Sequence, residues 1–186
     1  MSNGDISPYT PAARHVVESA PAHAAALGHD VADTGHLLLG LVADDGRGMA
    51  GVLLRELRIQ PAVIQHAVER RMGLGPRPTG NVVPLSEAAG RALNLALEEN
   101  PVAGPCRIGT DHLLLGLLAE GGVAGEVLAA HGVTAEGVRT AREQVRPRMC
   151  YGCAERAGGE PAAGGSPVGL PAEFAVSALL SPLTPS

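Results

Sequence analysis

Two stretches of the chain are apolar almost without a break, residues 37–42 and residues 113–118. Elsewhere apolar side chains return every three or four positions. Val63, Ile64, Ala67 and Val68 form one such stripe, and Val138, Ala141 and Val145 form another. That spacing is the period of an α-helix with one buried face, and a run apolar all round predicts a central, buried helix. No stretch of any length alternates apolar and polar residues as a half-buried strand would. The pattern therefore predicts an all-α protein.

The two apolar runs lie inside near-identical segments, DTGHLLLGL at 33–41 and GTDHLLLGL at 109–117. Thr34 and Thr110, His36 and His112, and Gly40 and Gly116 are each 76 positions apart. The same offset carries upstream, placing Thr10 on Ser86, Ala13 on Ala89, Val17 on Leu93 and Gly28 on Gly104. Downstream, GMAGVLLRELRI (48–59) falls on GVAGEVLAAHGV (122–133) at an offset of 74, after two extra loop residues in the first copy. A match of this length is a duplicated module.

Each copy reads as four helices. Thr10 and Ser86 are N-cap residues, and Pro11 stands at the first helical position, where its missing N–H costs nothing. The first helix is expected to reach about Leu27, with Pro21 kinking it or ending it early; its counterpart runs from Glu87 to about Asn100. Thr34 and Thr110 are expected to cap the second helices. The third helices span 49–57 and 123–131, with Gly132 as a stop, and the fourth start at Pro61 and after Thr134. The predicted organisation is a disordered N-terminus (1–8) and a domain over 9–146 built of repeat one (9–72), a linker (73–84) and repeat two (85–146). A Gly/Pro/Ala-rich tail at 147–186, expected to be disordered, follows. The two four-helix halves should be related by a pseudo-twofold axis.

Composition narrows the functions. Hydrophobic residues make up 45% of the chain, enough for one sizeable core or two small halves packed together. Only Tyr9, Tyr151 and Phe174 are aromatic. A net charge of −5 disfavours nucleic-acid phosphates as a ligand. All 14 basic residues are arginine, which excludes a phosphate-loop ATPase or a Schiff-base enzyme, both of which need lysine. No apolar run approaches the ~18 residues of a membrane span, and no signal-peptide pattern opens the chain. The expectation is a cytoplasmic protein without membrane partners, and three cysteines agree with a reducing compartment.

The tandem TGHLLLGLV…GMAGVLLRELRI and GTDHLLLGLL…GVAGEVLAAHGV resemble the two motifs of the Clp N-terminal (Clp repeat) domain, most closely the ClpC type, over about 9–146. The resemblance implies a binding domain that docks adaptors and receives substrates for Clp unfoldases. No ATPase signature accompanies it, since GGEPAAGGSP (158–167) lacks the Lys of a nucleotide loop. The chain thus reads as a free-standing, non-catalytic module without cofactors. Its expected partners are Clp substrates, adaptors or Clp subunits, with modulation of Clp-dependent proteolysis as the outcome. The alternative is a protein that sequesters cyclic-peptide antibiotics directed at the unfoldase.

The resemblance also implies candidate site residues. In ClpC-type domains an acid before the motif His, with the hydroxyl opening the first helix, helps to form pockets for phosphoarginine. A carboxylate can accept from the guanidinium, and helix N-termini and hydroxyls can donate to the phosphate. Carried over, repeat two keeps Asp111, Ser86 and Thr110. Repeat one keeps Thr10 and Thr34 but has Gly35 in place of the acid, which predicts a weakened pocket. Asp111 could equally be a first-turn acid facing the helix dipole. Tyr9 and its counterpart Leu85 fall where the family has an adaptor- and peptide-binding surface; Tyr9 could instead close off the core. His36 and His112 read as packing or capping residues, with no metal site expected. The CYGC stretch at 150–153 is open between an incidental pair, half a zinc site and a redox pair.

Overall fold

The computed structural model describes residues 8–43, 48–76, 83–99 and 107–149. Eight α-helices occupy them, four per repeat. Repeat one holds α1 (Pro11–Leu27), α2 (Thr34–Ala43), α3 (Met49–Glu56) and α4 (Pro61–Met72). Repeat two holds α5 (Glu87–Glu98), α6 (Thr110–Glu120), α7 (Gly122–Ala130) and α8 (Ala135–Met149). No strand forms among the described residues. The helix α8 runs three residues into the stretch expected as tail. The rest of the tail, the CYGC stretch, Cys106, residues 1–7 and residues 77–82 lie outside the described residues.

The predicted caps on the first helices form. Thr10 Oγ1 accepts from Ala13 N–H at 3.2 Å and Ser86 Oγ from Ala89 N–H at 3.0 Å. Each satisfies one of the orphan donors of a helix start. At the far end of α1, Gly28 takes φ 78°, a left-handed conformation in which its N–H closes on the Ala24 and Ala25 carbonyls. Pro21 does not end α1, which continues to Leu27. Ala20 and Ala24, on either side of it, are fully buried. Their packing holds the helix across the single hydrogen bond that proline removes.

The helices α2 and α6 are the centre of the molecule, as their composition requires. Every residue from Thr34 to Val42 is buried, and so is every one from Thr110 to Leu117. Glycines let their neighbours approach. A Cβ on Gly116 would overlap the Ala92 carbonyl oxygen and lie 2.8 Å from Ala96 N, both backbone atoms of α5. Ile64 and Val68 of α4 and Val138, Ala141 and Val145 of α8 seal the core from outside.

The two repeats are interlocked rather than set side by side. The segment leading into α1 pairs with the one leading into α6: Thr10 N–H donates to Ile108 O at 2.9 Å and Ile108 N–H to Pro8 O at 2.7 Å. The segment leading into α5 pairs with the one leading into α2 in the same manner. Ala32 N–H donates to Pro84 O at 2.8 Å and Ser86 N–H to Ala32 O at 2.9 Å. Each first helix therefore starts beside the second helix of the other repeat. This exchange is the pseudo-twofold relation in its concrete form.

Thr34 and Thr110 do not cap their own helices. Each is the first residue of its helix, and each hydroxyl caps the third helix of the other repeat. Thr110 Oγ1 accepts from Ala50 N–H at 3.0 Å, and Thr34 Oγ1 from Ala124 N–H at 3.4 Å. Glycine at the mouth of α3 and α7 makes this possible. A Cβ on Gly48 would stand 2.6 Å from Thr110 Oγ1, and one on Gly122 would stand 3.0 Å from Thr34 Oγ1. The Gly-x-Ala start of the third helix is thus a receptacle for a threonine from the facing repeat. Thr110→Val keeps the shape, removes the acceptor and leaves the Ala50 N–H buried without a partner. It should cost about 1.5 kcal/mol in denaturant unfolding, and Thr34→Val, with its longer bond, less. By contrast, the ion pair Arg71–Glu126, which also links the repeats at 2.8 Å, is 58% and 60% exposed and contributes less than about 1 kcal/mol.

Candidate functional site

The sequence directs attention to the starts of α2 and α6, where dipole, hydroxyl and carboxylate converge. At the start of α2, Asp33 Oδ1 accepts from Ser86 Oγ–H at 2.6 Å. Ser86 also receives the Ala89 N–H, so its hydroxyl is held between the two groups. Asp33 is partly exposed. Its backbone N–H donates to His36 Nδ1 at 2.8 Å, and His36 Nε2 meets His29 Nδ1 at 2.9 Å. His36 is 1% exposed. Burial first, and then the positive potential of His29, push its pKa down to about 4, against a smaller upward pull from Asp33. His36 is therefore a neutral capping residue at neutral pH. Gly35 is buried, and a Cβ there would run into the thioether of Met72, the last residue of α4.

At the start of α6 the same parts are arranged differently. Asp111 is 8% exposed. Its Oδ2 accepts from Arg142 Nη1 of α8 at 3.4 Å, and its Oδ1 lies 3.3 Å from His112 Nδ1. Burial alone would raise the Asp111 pKa, but the His112 ring and the Arg142 guanidinium outweigh it and hold the carboxyl below its ordinary value. His112 Nδ1 also accepts from Gly109 N–H at 3.0 Å, the counterpart of the His36 cap. A Cβ built on Gly109 would collide with Asp111 Oδ1. The Asp111 carboxylate thus lies where a side chain at position 109 would begin.

These positions regroup the residues that the sequence had put together. Ser86, assigned to repeat two's pocket, stands with Asp33 of repeat one. Thr10, assigned to repeat one's, stands beside Ile108, three residues before Asp111. The hydroxyls of Thr34 and Thr110 each cap the third helix of the facing repeat, and the residues are 0% and 2% exposed. Tyr9 is 2% exposed, and burial lifts its phenol pKa to about 12. It closes the core where its backbone pairs with Ile108, and it offers no aromatic surface. Leu85 is half-buried against the same core. Asp33, Met72, Arg142 and His29, which the sequence reading does not single out, stand beside these positions. The signal for Asp33 was in the repeat itself: Asp33-Thr34-Gly35 answers Gly109-Thr110-Asp111, so acid and glycine change places around the threonine.

Among the described residues no group of three or more His, Cys, Asp or Glu side chains is placed to hold a metal ion. A separate groove of about 440 Å³ lies between α4 and α7, and none of the predicted site residues borders it. No single described helix is long and apolar enough to cross a membrane.

The profile of the Clp repeat (R) N-terminal domain matches residues 8–131. Chaperone protein ClpB of Oceanobacillus iheyensis is 37% identical over 138 residues, covering 74% of this chain and 16% of that protein. Chloroplastic chaperone protein ClpC1 of Oryza sativa subsp. japonica is 38% identical over 133 residues, covering 71% of this chain and 14% of that protein. The chain thus spans about a sixth or less of the length of these relatives. In fold it is similar to the N-terminal domain of the chaperone ClpD from Arabidopsis thaliana, with a TM-score of 0.58 and 24% identity, covering 79% of this chain and 99% of that one. It is likewise similar to the Hsp104 N-terminal domain from Candida albicans, with a TM-score of 0.61 and 18% identity, covering 74% and 91%. With the profile spanning residues 8–131 of its 186, the chain belongs to the Clp repeat (R) N-terminal domain family.

Proposed function

We propose that the chain is a non-catalytic protein-binding module that takes arginine-phosphorylated clients, or the adaptors that bring them, and modulates Clp-dependent proteolysis. Family membership supports protein binding. The finer reading rests on one observation, the Asp33–Ser86 contact of 2.6 Å at the start of α2. It places a carboxylate, a hydroxyl and a helix N-terminus within one small surface. Phosphoarginine carries a cationic guanidinium joined to a phosphate: the carboxylate can accept from the first and the helix N-terminus can face the second, while the Ser86 hydroxyl, its one proton given to Asp33, orients the carboxylate.

The cyclic-peptide alternative shares with adaptor docking the surface at Tyr9 and Leu85, where Tyr9 is buried and Leu85 half-buried. Nothing among the described residues favours that alternative.

Fluorescence anisotropy with a labelled model protein, phosphorylated on arginine or left unmodified, tests the proposal. The expected result is saturable binding of the phosphorylated form, at least about tenfold tighter than the unmodified one, as the loss of a charge-assisted contact implies. Equal binding of the two forms, or none, would sink it.

A further inference from the structure

We propose that the groove between α4 and α7 is a docking site for the chain's own segment 171–183, with Phe174 seated in its apolar lining and Glu173 on Arg70. The site is separate from the starts of α2 and α6 and does not depend on what binds there.

The groove crosses the boundary between the repeats, α4 belonging to the first and α7 to the second. Its volume of about 440 Å³ is that of a pocket able to hold a bulky apolar group. Ala67, Val127 and Ala130 give it an apolar lining, and the two alanines are too small to fill it. His131 also borders it, its ring held in place by donation from Nδ1 to Val127 O at 2.8 Å. The charged groups are unequal. Arg71 is matched by Glu126 at 2.8 Å, whereas Arg70 is exposed and pairs with no carboxylate among the described residues. The groove therefore carries an excess positive charge on a chain whose total is −5. It calls for an occupant that is apolar and carries an acid.

The chain holds such a segment, outside the described residues. Residues 172–180 read AEFAVSALL, apolar apart from Glu173 and Ser177, and Phe174 is the chain's one phenylalanine. Glu173, directly before it, is the only charged side chain in residues 161–186. Burial of the ring supplies the attraction, and the carboxylate on Arg70 sets which way the segment lies. The tether is long enough. Helix α8 begins at Ala135, four residues after His131, and its 15 residues rise about 22 Å, so Met149 is no more than about 35 Å from the groove. Residues 150–172 can extend over about 75 Å, twice that distance. A segment on so short a tether meets the groove at an effective concentration of the order of millimolar, so contacts too weak to hold a separate partner suffice. A partner that uses this face has to displace the segment first.

NMR spectra of the full chain test this, because the ring protons of a single phenylalanine are assigned by residue type alone. Wild type should show NOEs from the Phe174 ring to the methyls of Val127 and Ala130, unchanged on dilution. Phe174→Asp should abolish them and shift the amide resonances of Ala67, Val127 and Ala130. The amides of the core residues Leu93 and Leu114 should stay in place, which also shows that the variant is folded. Arg70→Glu should lower the ratio of docked to free segment about two- to fivefold, as the loss of an exposed ion pair implies. Adding Glu173→Arg to Arg70→Glu should restore the ratio. Absence of the ring NOEs, with groove amides unmoved in Phe174→Asp, would overturn the proposal. NOEs that fade on dilution would mean that a second copy supplies the segment, and would overturn docking within one chain. A double variant no better than Arg70→Glu alone would overturn the pairing of Glu173 with Arg70.

Discussion

Gly116→Ala should lower the stability of the chain by about 3 kcal/mol, a fall in Tm of roughly 6–12 °C for a domain of this size. Two effects oppose each other at this position. Alanine is the better helix former, by about 1 kcal/mol. Against that, the new methyl would overlap the Ala92 carbonyl oxygen and stand 2.8 Å from Ala96 N. Both are backbone atoms of α5, so no side chain can swing aside, and α5 and α6 would have to separate along their shared contact. A close-packed interior meets such a demand only at the cost of its other contacts. Gly40, the equivalent position in repeat one, is the internal control. A methyl there would meet Ser19 Oγ at 2.9 Å and Val16 O at 3.0 Å. The hydroxyl can rotate, giving up its bond to Val16 O, and at 3.0 Å that carbonyl need give only slightly, so Gly40→Ala should cost clearly less than Gly116→Ala, about 1 kcal/mol once helix propensity is counted. A Gly116→Ala protein as stable as wild type would contradict this packing of α5 on α6.

Acidification is the second large effect. His36 has its folded pKa pushed down to about 4 from an ordinary 6.5, by burial first and by His29 and His23 next, with Asp33 pulling the other way. In the unfolded chain it takes up a proton near pH 6.5, and in the folded one only near pH 4. Between those values the unfolded state binds more protons. The neutral histidine's full contribution to stability is therefore present above about pH 6.5 and is lost as the pH falls toward 4. The loss approaches about 3 kcal/mol at the lower end, and below that pH the residue contributes no further change. His23, also shifted down by burial and by His15, acts in the same direction but more weakly because it is more exposed. Asp111 enters only at lower pH, since its carboxyl is held below the ordinary 3.8. Urea midpoints measured from pH 7.5 to 4 should fall steadily in wild type and much less in His36→Gln. A flat wild-type profile over that window would mean that His36 is not held neutral.

How much of this was legible in the chain depends on how far apart the interacting residues are. The repeat, the eight helices and the caps by Thr10 and Ser86 follow from spacing and from hydrogen bonds three residues long, so local pattern is enough to find them. Helix α1 reaches Leu27 as its pattern predicts, with Pro21 inside it and Ala20 and Ala24 buried on either side. Thr34 and Thr110 were assigned to the nearest helix start, yet their partners lie 90 and 60 residues away. Ser86 and Asp33 are 53 residues apart. Such pairings follow from the interlocking of the repeats, which no periodicity encodes. The space beside Gly35 could not be judged empty or full without knowing that α4 ends there with Met72. The place of Asp33 is legible in the repeat, where Asp33-Thr34-Gly35 answers Gly109-Thr110-Asp111.

The most direct test of the account is a crystal structure of the chain soaked with phosphoarginine, because both helix mouths are seen in one experiment. The account predicts ligand density at the start of α2, its guanidinium on Asp33 beside Ser86. A map without ligand there, Asp33 left on Ser86 alone, would contradict it.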